Sequence, residues 1–172
     1  STPMILPLPG GTINLTNGPF SPDGKRMLRE GWDDQHPDVS GDYVSNIDGS
    51  GILRLTHRQY ILGDWSPDGK QILLFGGHPG EPPPPGELYV ASADGTHVEQ
   101  LTPSGTLVGC CGNYRYSPDG TKVLFATQDG GLWTIGPDGS NLTQVFDNPS
   151  GRWAIMPAWS PDGSMILFGM DP

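Results

Sequence analysis

The sequence predicts an all-β protein made of four similar antiparallel sheets, and three observations lead to this prediction. The tetrapeptide Ser-Pro-Asp-Gly occurs four times, at 21–24, 66–69, 117–120 and 160–163. An aromatic residue precedes each copy, and an apolar run follows it after one or two spacer residues. In the first three units an Asp-Gly pair comes later, at 48–49, 94–95 and 138–139.

Each tetrapeptide has the chemistry of a tight turn between two strands. Proline presets φ for the second turn position, aspartate hydrogen-bonds the backbone two residues on, and glycine accepts a positive φ. One unit therefore consists of strand A, the Ser-Pro-Asp-Gly turn, strand B, a variable loop, strand C, an Asp-Gly turn and strand D. The four copies are 45, 51 and 43 residues apart, close to the ~40 to 45 residues of a four-stranded propeller blade.

We therefore expect one domain over residues 1–172, a four-bladed β-propeller of four-stranded antiparallel blades. Blades 1, 2 and 3 are predicted at about 17–56, 57–102 and 103–146. Blade 4 is predicted at about 147–172 together with 1–16.

The units resemble the TolB-like β-propeller repeat, a relative of the WD-repeat propellers. The resemblance rests on the aromatic-Ser-Pro-Asp-Gly turn, the later Asp-Gly pair, and a Leu-Thr ending seen at Leu55-Thr56 and Leu101-Thr102. It covers essentially the whole chain and implies a propeller fold, without implying an activity. That family carries six blades behind a separate N-terminal domain, so the four units here depart from its pattern.

The fourth unit stops after strand B, and its second half is predicted at the other end of the chain. Residues 4–8 have the pattern of a strand C, and residues 13–16 form a strand D with the Leu-Thr ending. The predicted closure strands contain Met4, Ile5, Leu6, Ile13, Leu15, Met165, Ile166, Leu167 and Phe168. Three closures are open: docking on the chain's own last strand, docking on a neighbouring copy, or continuation into a tandem unit. Some closure is expected, because an unpaired strand B would leave an apolar edge in water.

Catalytic and metal-binding patterns are weak in this sequence. The best metal candidates are Asp33, Asp34, Asp38 and Asp42, because Ca²⁺ takes oxygen ligands from acidic loops. The four histidines stand singly, and no Gly-x-Ser-x-Gly nucleophile motif is present. We therefore expect no enzyme activity and no cofactor other than Ca²⁺.

Two cysteines and two Asn-x-Ser/Thr triplets are candidates for covalent modification. Cys110 and Cys111 are adjacent, so a bond between them would be strained, which leaves either apolar packing or an intermolecular disulfide. Asn14 and Asn141 lie in glycosylation triplets.

The charge limits the partners of this chain. Nine Lys and Arg against 19 Asp and Glu give a net charge of −10, which disfavours nucleic acid and anionic lipid. No apolar stretch approaches the ~20 residues of a membrane helix, so no membrane insertion is expected. The N-terminus, Ser1-Thr2-Pro3, carries no leader, and we expect an extracellular or periplasmic protein whose signal peptide is removed or upstream.

The interpretation of function depends mainly on the fourth blade, whose two halves are predicted at opposite ends of the chain. We expect a secreted, non-catalytic propeller that acts as a structural bead, joined to other copies or tandem units in a head-to-tail filament. A second interpretation is a TolB-like sensor or adaptor that binds a peptide or glycan. A third is an accessory propeller of a peptidase.

Overall fold

The structure, a computed structural model, consists of β-strands and one short 3₁₀ turn in its described part. It describes residues 5–8, 11–15, 18–57, 60–76, 86–109, 114–148 and 153–170, with backbone alone at 5–8, 11–14 and 61–62. The strands are β1 (Ile5–Leu8), β2 (Gly11–Leu15), β3 (Arg26–Trp32), β4 (Gly41–Asn46), β5 (Leu53–Arg54), β6 (Ile61–Trp65), β7 (Gln71–Gly76), β8 (Glu87–Ser92), β9 (Val98–Gln100), β10 (Tyr114–Tyr116), β11 (Val123–Ala126), β12 (Leu132–Ile135), β13 (Thr143–Phe146), β14 (Ala154–Trp159) and β15 (Ile166–Met170). The 3₁₀ turn spans Pro37–Val39.

The strands form four antiparallel sheets in chain order. Sheet I has the order β1-β2-β3-β4-β5, sheet II β6-β7-β8-β9, sheet III β10-β11-β12-β13 and sheet IV β14-β15. The all-β prediction is confirmed, and each sheet contains one Ser-Pro-Asp-Gly turn. Four complete four-stranded blades are not what this structure shows, because sheet IV has two strands.

Of the three closures that the sequence leaves open, docking on the chain's own last strand is not seen among the described strands, because β2 pairs elsewhere. Asn14 lies opposite Trp32 and Leu15 opposite Gly31, so β2 joins β3 of sheet I and not β15 of sheet IV. Residues 5–15 therefore do not belong to a fourth blade with 147–172 in this chain. The reason is proximity, because residues 18–20 already pair with β3 through the amide of Gly18 and the carbonyl of Leu28.

The Ser-Pro-Asp-Gly turns repeat the same hydrogen bonds four times. In the second copy the Ser66 hydroxyl donates to Asp68 Oδ1 over 2.7 Å and accepts from the Gln71 amide over 2.9 Å. Asp68 Oδ1 also accepts from the Lys70 amide over 3.0 Å, and Gly69 has a φ of +69°. These bonds lower the pKa of all four turn aspartates, to about 2 for Asp119 and Asp162. The interpretation of these carboxylates as turn caps is confirmed.

The Leu-Thr endings close the outer edge of sheets I and II. Thr56 Oγ1 accepts a hydrogen bond from the Asp42 amide over 2.8 Å, and Thr102 Oγ1 accepts one from the Leu88 amide over 3.0 Å. Both threonines are buried. The hydroxyl thus satisfies a strand C amide that the short strand D leaves without a backbone acceptor.

The core lies between successive sheets and follows one rule. The leucine seven positions after the motif serine is buried against the next sheet: Leu28 clusters with Ile72 and Leu74 of sheet II. In the same way Leu73 clusters with Val123 and Phe125 of sheet III. The leucine of sheet I and that of sheet II therefore each pack into the apolar face of the sheet that follows.

A buried threonine whose hydroxyl accepts a backbone hydrogen bond should contribute more to the stability of the fold than an exposed threonine. We expect Thr102→Val to destabilise the fold by about 1–3 kcal/mol, because the buried Leu88 amide loses its acceptor while the shape is preserved. The matched control is Thr143→Val, whose hydroxyl is exposed and bonds a carbonyl, with an expected change within about 0.5 kcal/mol. Urea unfolding measures both, and equal losses would contradict this account.

Candidate association surface at the last sheet

Sheet IV leaves uncovered what the other sheets bury. Leu28, Leu73 and Leu124 are 0% exposed, whereas Leu167, the same repeat position in sheet IV, is 78% exposed. Met165, directly before β15, and Met156 on β14 are 67% and 80% exposed. Among the described residues, no further sheet covers this repeat position in sheet IV.

The strand count points to the same surface. In the part of the chain that the structure describes, sheets II and III have four strands, and β15 is paired on one side only, with β14. Above it, the outer strand β13 of sheet III is exposed over Thr143, Gln144 and Val145, whereas Leu55 and Leu101 near the outer edges of sheets I and II are buried. We call the free edge of β15, with Met165, Leu167 and Met156, the sheet IV surface.

The inner face of sheet IV is covered by sheet III. Ile166, Phe168 and Met170 pack with Leu124 and Leu132, and the rings of Phe146 and Phe168 are 4.8 Å apart. Sheet IV is thus held in place by one face, while its other face and its free edge are open.

The turns show that the arc of sheets does not close on itself. A methyl group built on Gly69 would lie 3.7 Å from Pro22 Cδ, and one built on Gly120 would lie 3.4 Å from Pro67 Cδ. Gly163 approaches Pro118 in the same way, so each turn rests on the one before it. A methyl group on Gly24 would meet nothing within 4 Å, so Pro161 of the last turn does not reach the first.

No charged residue lies on the strands that carry the sheet IV surface. Residues 154–159 and 165–170 contain neither acidic nor basic side chains, in a chain of net charge −10. Two acidic copies repel each other, and an uncharged apolar surface is where that repulsion is weakest. Exposed apolar side chains concentrated in one region are a common feature of interaction sites.

The predicted calcium residues are not brought together in the described part of the chain. Asp33 Oδ1 accepts the Gln35 amide, and its Oδ2 contacts His36 Nδ1 over 2.9 Å, which makes a local turn. Asp42 lies in the core and is 0% exposed. Among the described residues no three acidic, histidine or cysteine side chains are placed to hold one metal ion.

Asp42 has a structural role that the sequence reading did not assign. It occupies the repeat position of Leu88 and Leu132. The amides of Asp42 and Leu88 donate to Thr56 and Thr102, and these two threonines hold the same position in their units. Its carboxyl accepts from the Thr56 hydroxyl over 2.8 Å and from the Tyr60 amide over 3.2 Å. Burial raises its pKa from 3.8 to about 7, against these hydrogen bonds and with a contribution from Glu30. Aligning the three units would have shown this exchange of leucine for aspartate.

The modification candidates fall in different places. Asn141 is exposed in the turn between β12 and β13, with a φ of +55°. Asn14 lies in β2, described by its backbone alone. Met4, Cys110 and Cys111 lie outside the described residues. Glycosylation and the disulfide therefore stay predictions.

Comparison with known proteins identifies the fold. No family model matches the chain. TolB from Acinetobacter baumannii superimposes with a TM-score of 0.65 at 17% identity, over 96% of this chain and 37% of TolB. An oligogalacturonate lyase in complex with manganese superimposes with a TM-score of 0.67 at 12% identity, over 92% of this chain and 47% of the lyase. The chain has a β-propeller fold.

A curated relative is longer than this chain. The uncharacterized protein Atu1656 of Agrobacterium fabrum is 31% identical over 187 residues, covering 95% of this chain and 60% of that protein. The chain therefore spans about 60% of the length of that relative. No helix in the described residues has the length and apolar character of a membrane span.

The prediction that the chain is not an enzyme is corrected by these comparisons. It rested on missing motifs in a fold regarded as structural, whereas the oligogalacturonate lyase that shares this propeller fold is an enzyme. The fold therefore gives no ground for excluding catalysis.

The burial of the Asp42 carboxyl predicts how the stability of the fold depends on pH. Between about pH 4 and 7 the folded chain holds a proton that the unfolded chain has released, so stability falls as pH rises. A rise from 3.8 to about 7 corresponds to about 4 kcal/mol. Asp42→Asn keeps an acceptor without a charge. We expect its urea stability to lack this loss between pH 4.5 and 7.5, and parallel curves for the two proteins would contradict it.

The repeat position predicts a contrast between two leucines. Leu73→Ala should destabilise the fold by about 2–5 kcal/mol, because it opens a cavity between sheets II and III. Leu167→Ala, the matched control at the same repeat position, should change the stability of the dilute protein by less than about 0.5 kcal/mol. A similar loss for both, measured by urea unfolding, would show that Leu167 is covered in solution.

Proposed function

We propose that this β-propeller is an assembly module, joined to further copies or tandem units through the sheet IV surface. The observation that carries the proposal is the exposure of Leu167, 78% against 0% at the three equivalent leucines. A second support is the edge of β15 that pairs with no strand among the described residues, because such an edge can accept another strand.

The physical reason is the one-sided packing of the repeat. Sheets I, II and III each bury their leucine under the next sheet, and sheet IV has the same leucine without that cover. An incoming sheet with an apolar face would bury Met165, Leu167 and Met156 together. Each fully buried side chain of this size contributes about 1.5–3 kcal/mol, so a few such residues support a reversible association.

The contact is heterologous, because it joins the last sheet of one copy to a different surface of the next. Such contacts form rings when the rotation closes and filaments when it does not. A structural role in an extracellular or periplasmic assembly, as the sequence predicts, belongs to this proposal.

A binding role is the alternative, and a cleft in sheet III favours it. This cleft of about 330 Å³ is lined by Gly105, Thr106, Leu107, Thr127, Asp129, Trp133 and Leu142. Its volume falls in the range of small-ligand sites, and its aromatic and carboxylate groups suit a peptide or glycan. Calorimetry with a glycan panel on the wild type and on Trp133→Leu tests this role. Binding that Trp133→Leu abolishes would support it.

Association through sheet IV predicts a loss on charging that surface. We expect light scattering after size exclusion to show species larger than the 18.4 kDa monomer, growing with concentration and with salt, which screens the repulsion of acidic copies. Leu167→Lys should shift the protein to the monomer, because a lysine beside the free edge blocks strand addition.

The control is His97→Lys, at the turn of sheet II between β8 and β9, where the wild-type side chain is 61% exposed. It adds the same charge away from sheet IV and should leave association unchanged. A wild type that stays monomeric at millimolar concentration would overturn the assembly function.

A further inference from the structure

The two strands of the N-terminal hairpin, β1 and β2, pair in the same register as strands C and D of sheets I and II. In sheets I and II the residue before the Leu-Thr ending lies opposite a tyrosine: Arg54 opposite Tyr43 and Gln100 opposite Tyr89. In the hairpin, Asn14 precedes Leu15-Thr16 and lies opposite Ile5. Ile5 therefore takes the position of Tyr43 and Tyr89.

This equivalence assigns a partner to each residue of β1. In sheet I Val44 lies opposite Leu28, and in sheet II Val90 lies opposite Leu73. Leu6 follows Ile5 and lies opposite Ile13, as Val44 lies opposite Leu53. The residue of sheet IV that corresponds to Leu28 and Leu73 is Leu167, so Leu6 belongs opposite Leu167 and Ile5 opposite Phe168.

We infer that the occupant of the sheet IV surface is the hairpin β1-β2 of a second copy, paired antiparallel to β15 with Leu6 opposite Leu167. This inference rests on the proposed assembly function and names the segment that performs it. The hairpin supplies the two strands by which sheet IV falls short of sheets II and III. Among the described residues, two pairs join it to β3 in its own chain, at Asn14 and Leu15.

A symmetric pairing of two β15 strands does not fit the geometry. Directly opposed residues of antiparallel strands point to the same face. Ile166 and Phe168 of both copies would then share one face, and each copy brings its own sheet III to that face. Sheet III is four strands wide over a two-stranded sheet, and Phe146 of its outer strand already reaches Phe168. The two copies of sheet III would collide, whereas a bare hairpin carries no such sheet.

The short connection after the hairpin explains why a second copy is needed. Three residue steps separate Leu15 from Gly18, which pairs with β3, and an extended chain covers about 3.3–3.6 Å per residue. The hairpin therefore stays within about 10 Å of sheet I. Because the last Ser-Pro-Asp-Gly turn does not reach the first one, sheet I of the same chain does not lie against sheet IV. Sheet I of a second copy arrives with its hairpin and covers Leu167.

Pro7 limits the strength of this pairing. It takes the position of Ser45 and Ala91 in strand C. Two residues further along, the amides of Ile47 and Ala93 donate hydrogen bonds to the carbonyls of Lys25 and Lys70, on the strand B side. Alternate residues of a strand face the same neighbouring strand, so the amides of Ser45 and Ala91 also point to strand B. Proline has no amide hydrogen, so one hydrogen bond of the new ladder is missing opposite Ile166. We therefore expect a weak, concentration-dependent contact that Pro7→Val strengthens.

Disulfide trapping between two singly substituted proteins tests the register. In a Cys110→Ser, Cys111→Ser background, Leu6→Cys is mixed with Leu167→Cys and oxidised gently. Opposed residues of paired antiparallel strands lie within disulfide reach, so we expect a covalent dimer of twice 18.4 kDa. The matched control mixes Ile13→Cys with Leu167→Cys, because Ile13 would lie one strand further out. Equal trapping in both mixtures would overturn the register.

A peptide of residues 1–16 tests the inference without altering the hairpin in the protein. We expect it to bind the wild type in calorimetry, to dissolve the assemblies seen by light scattering, and to lose its binding in Leu167→Lys. Assemblies that form without trapping and resist the peptide would overturn the hairpin inference while leaving the assembly function in place. Absence of assemblies altogether would overturn both.

Discussion

The packing of one leucine per sheet against the next sheet is the constraint on which this structure depends. Leu28, Leu73 and Leu124 are buried only because a following sheet presents an apolar face to each of them. No sheet in the described chain buries both of its faces by itself, so each needs a neighbour. The hydrophobic effect rewards this stacking in proportion to the apolar area removed from water.

That constraint gives the arc of sheets two different ends. At the first end, the motif glycine Gly24 meets no preceding turn, yet Leu15 and Tyr43 of sheet I are buried together. At the last end, Leu167 and the edge of β15 are open. Terminal units of a repeat array need a cover over their apolar face, and among the described residues sheet IV has none. An uncovered last unit is therefore where an interaction with another molecule lowers the free energy most.

Local chemistry was legible in the sequence, and long-range pairing was not. The turns follow from Ser-Pro-Asp-Gly because their hydrogen bonds join residues two to five positions apart, as Ser66, Asp68 and Gln71 show. The position of β2 does not follow, because the Leu-Thr ending fits an outer strand of any sheet. The burial of Asp42, one of the four weak calcium candidates, does not follow either, since composition marks a loop as acidic without saying which carboxyl points into the core.

The sequence by itself determined the four sheet-forming units, their turns, the strands within each unit and the leucine that each unit presents to its neighbour. These depend on φ preferences, on local hydrogen bonds and on alternation along a strand, all of which short stretches of residues specify. Only the tertiary structure decided that sheet IV has two strands, that β2 pairs with β3, and that Leu167 is exposed while Leu124 is buried. Identical repeat positions differ in burial because burial depends on which sheet lies next in space, and no residue encodes that alone.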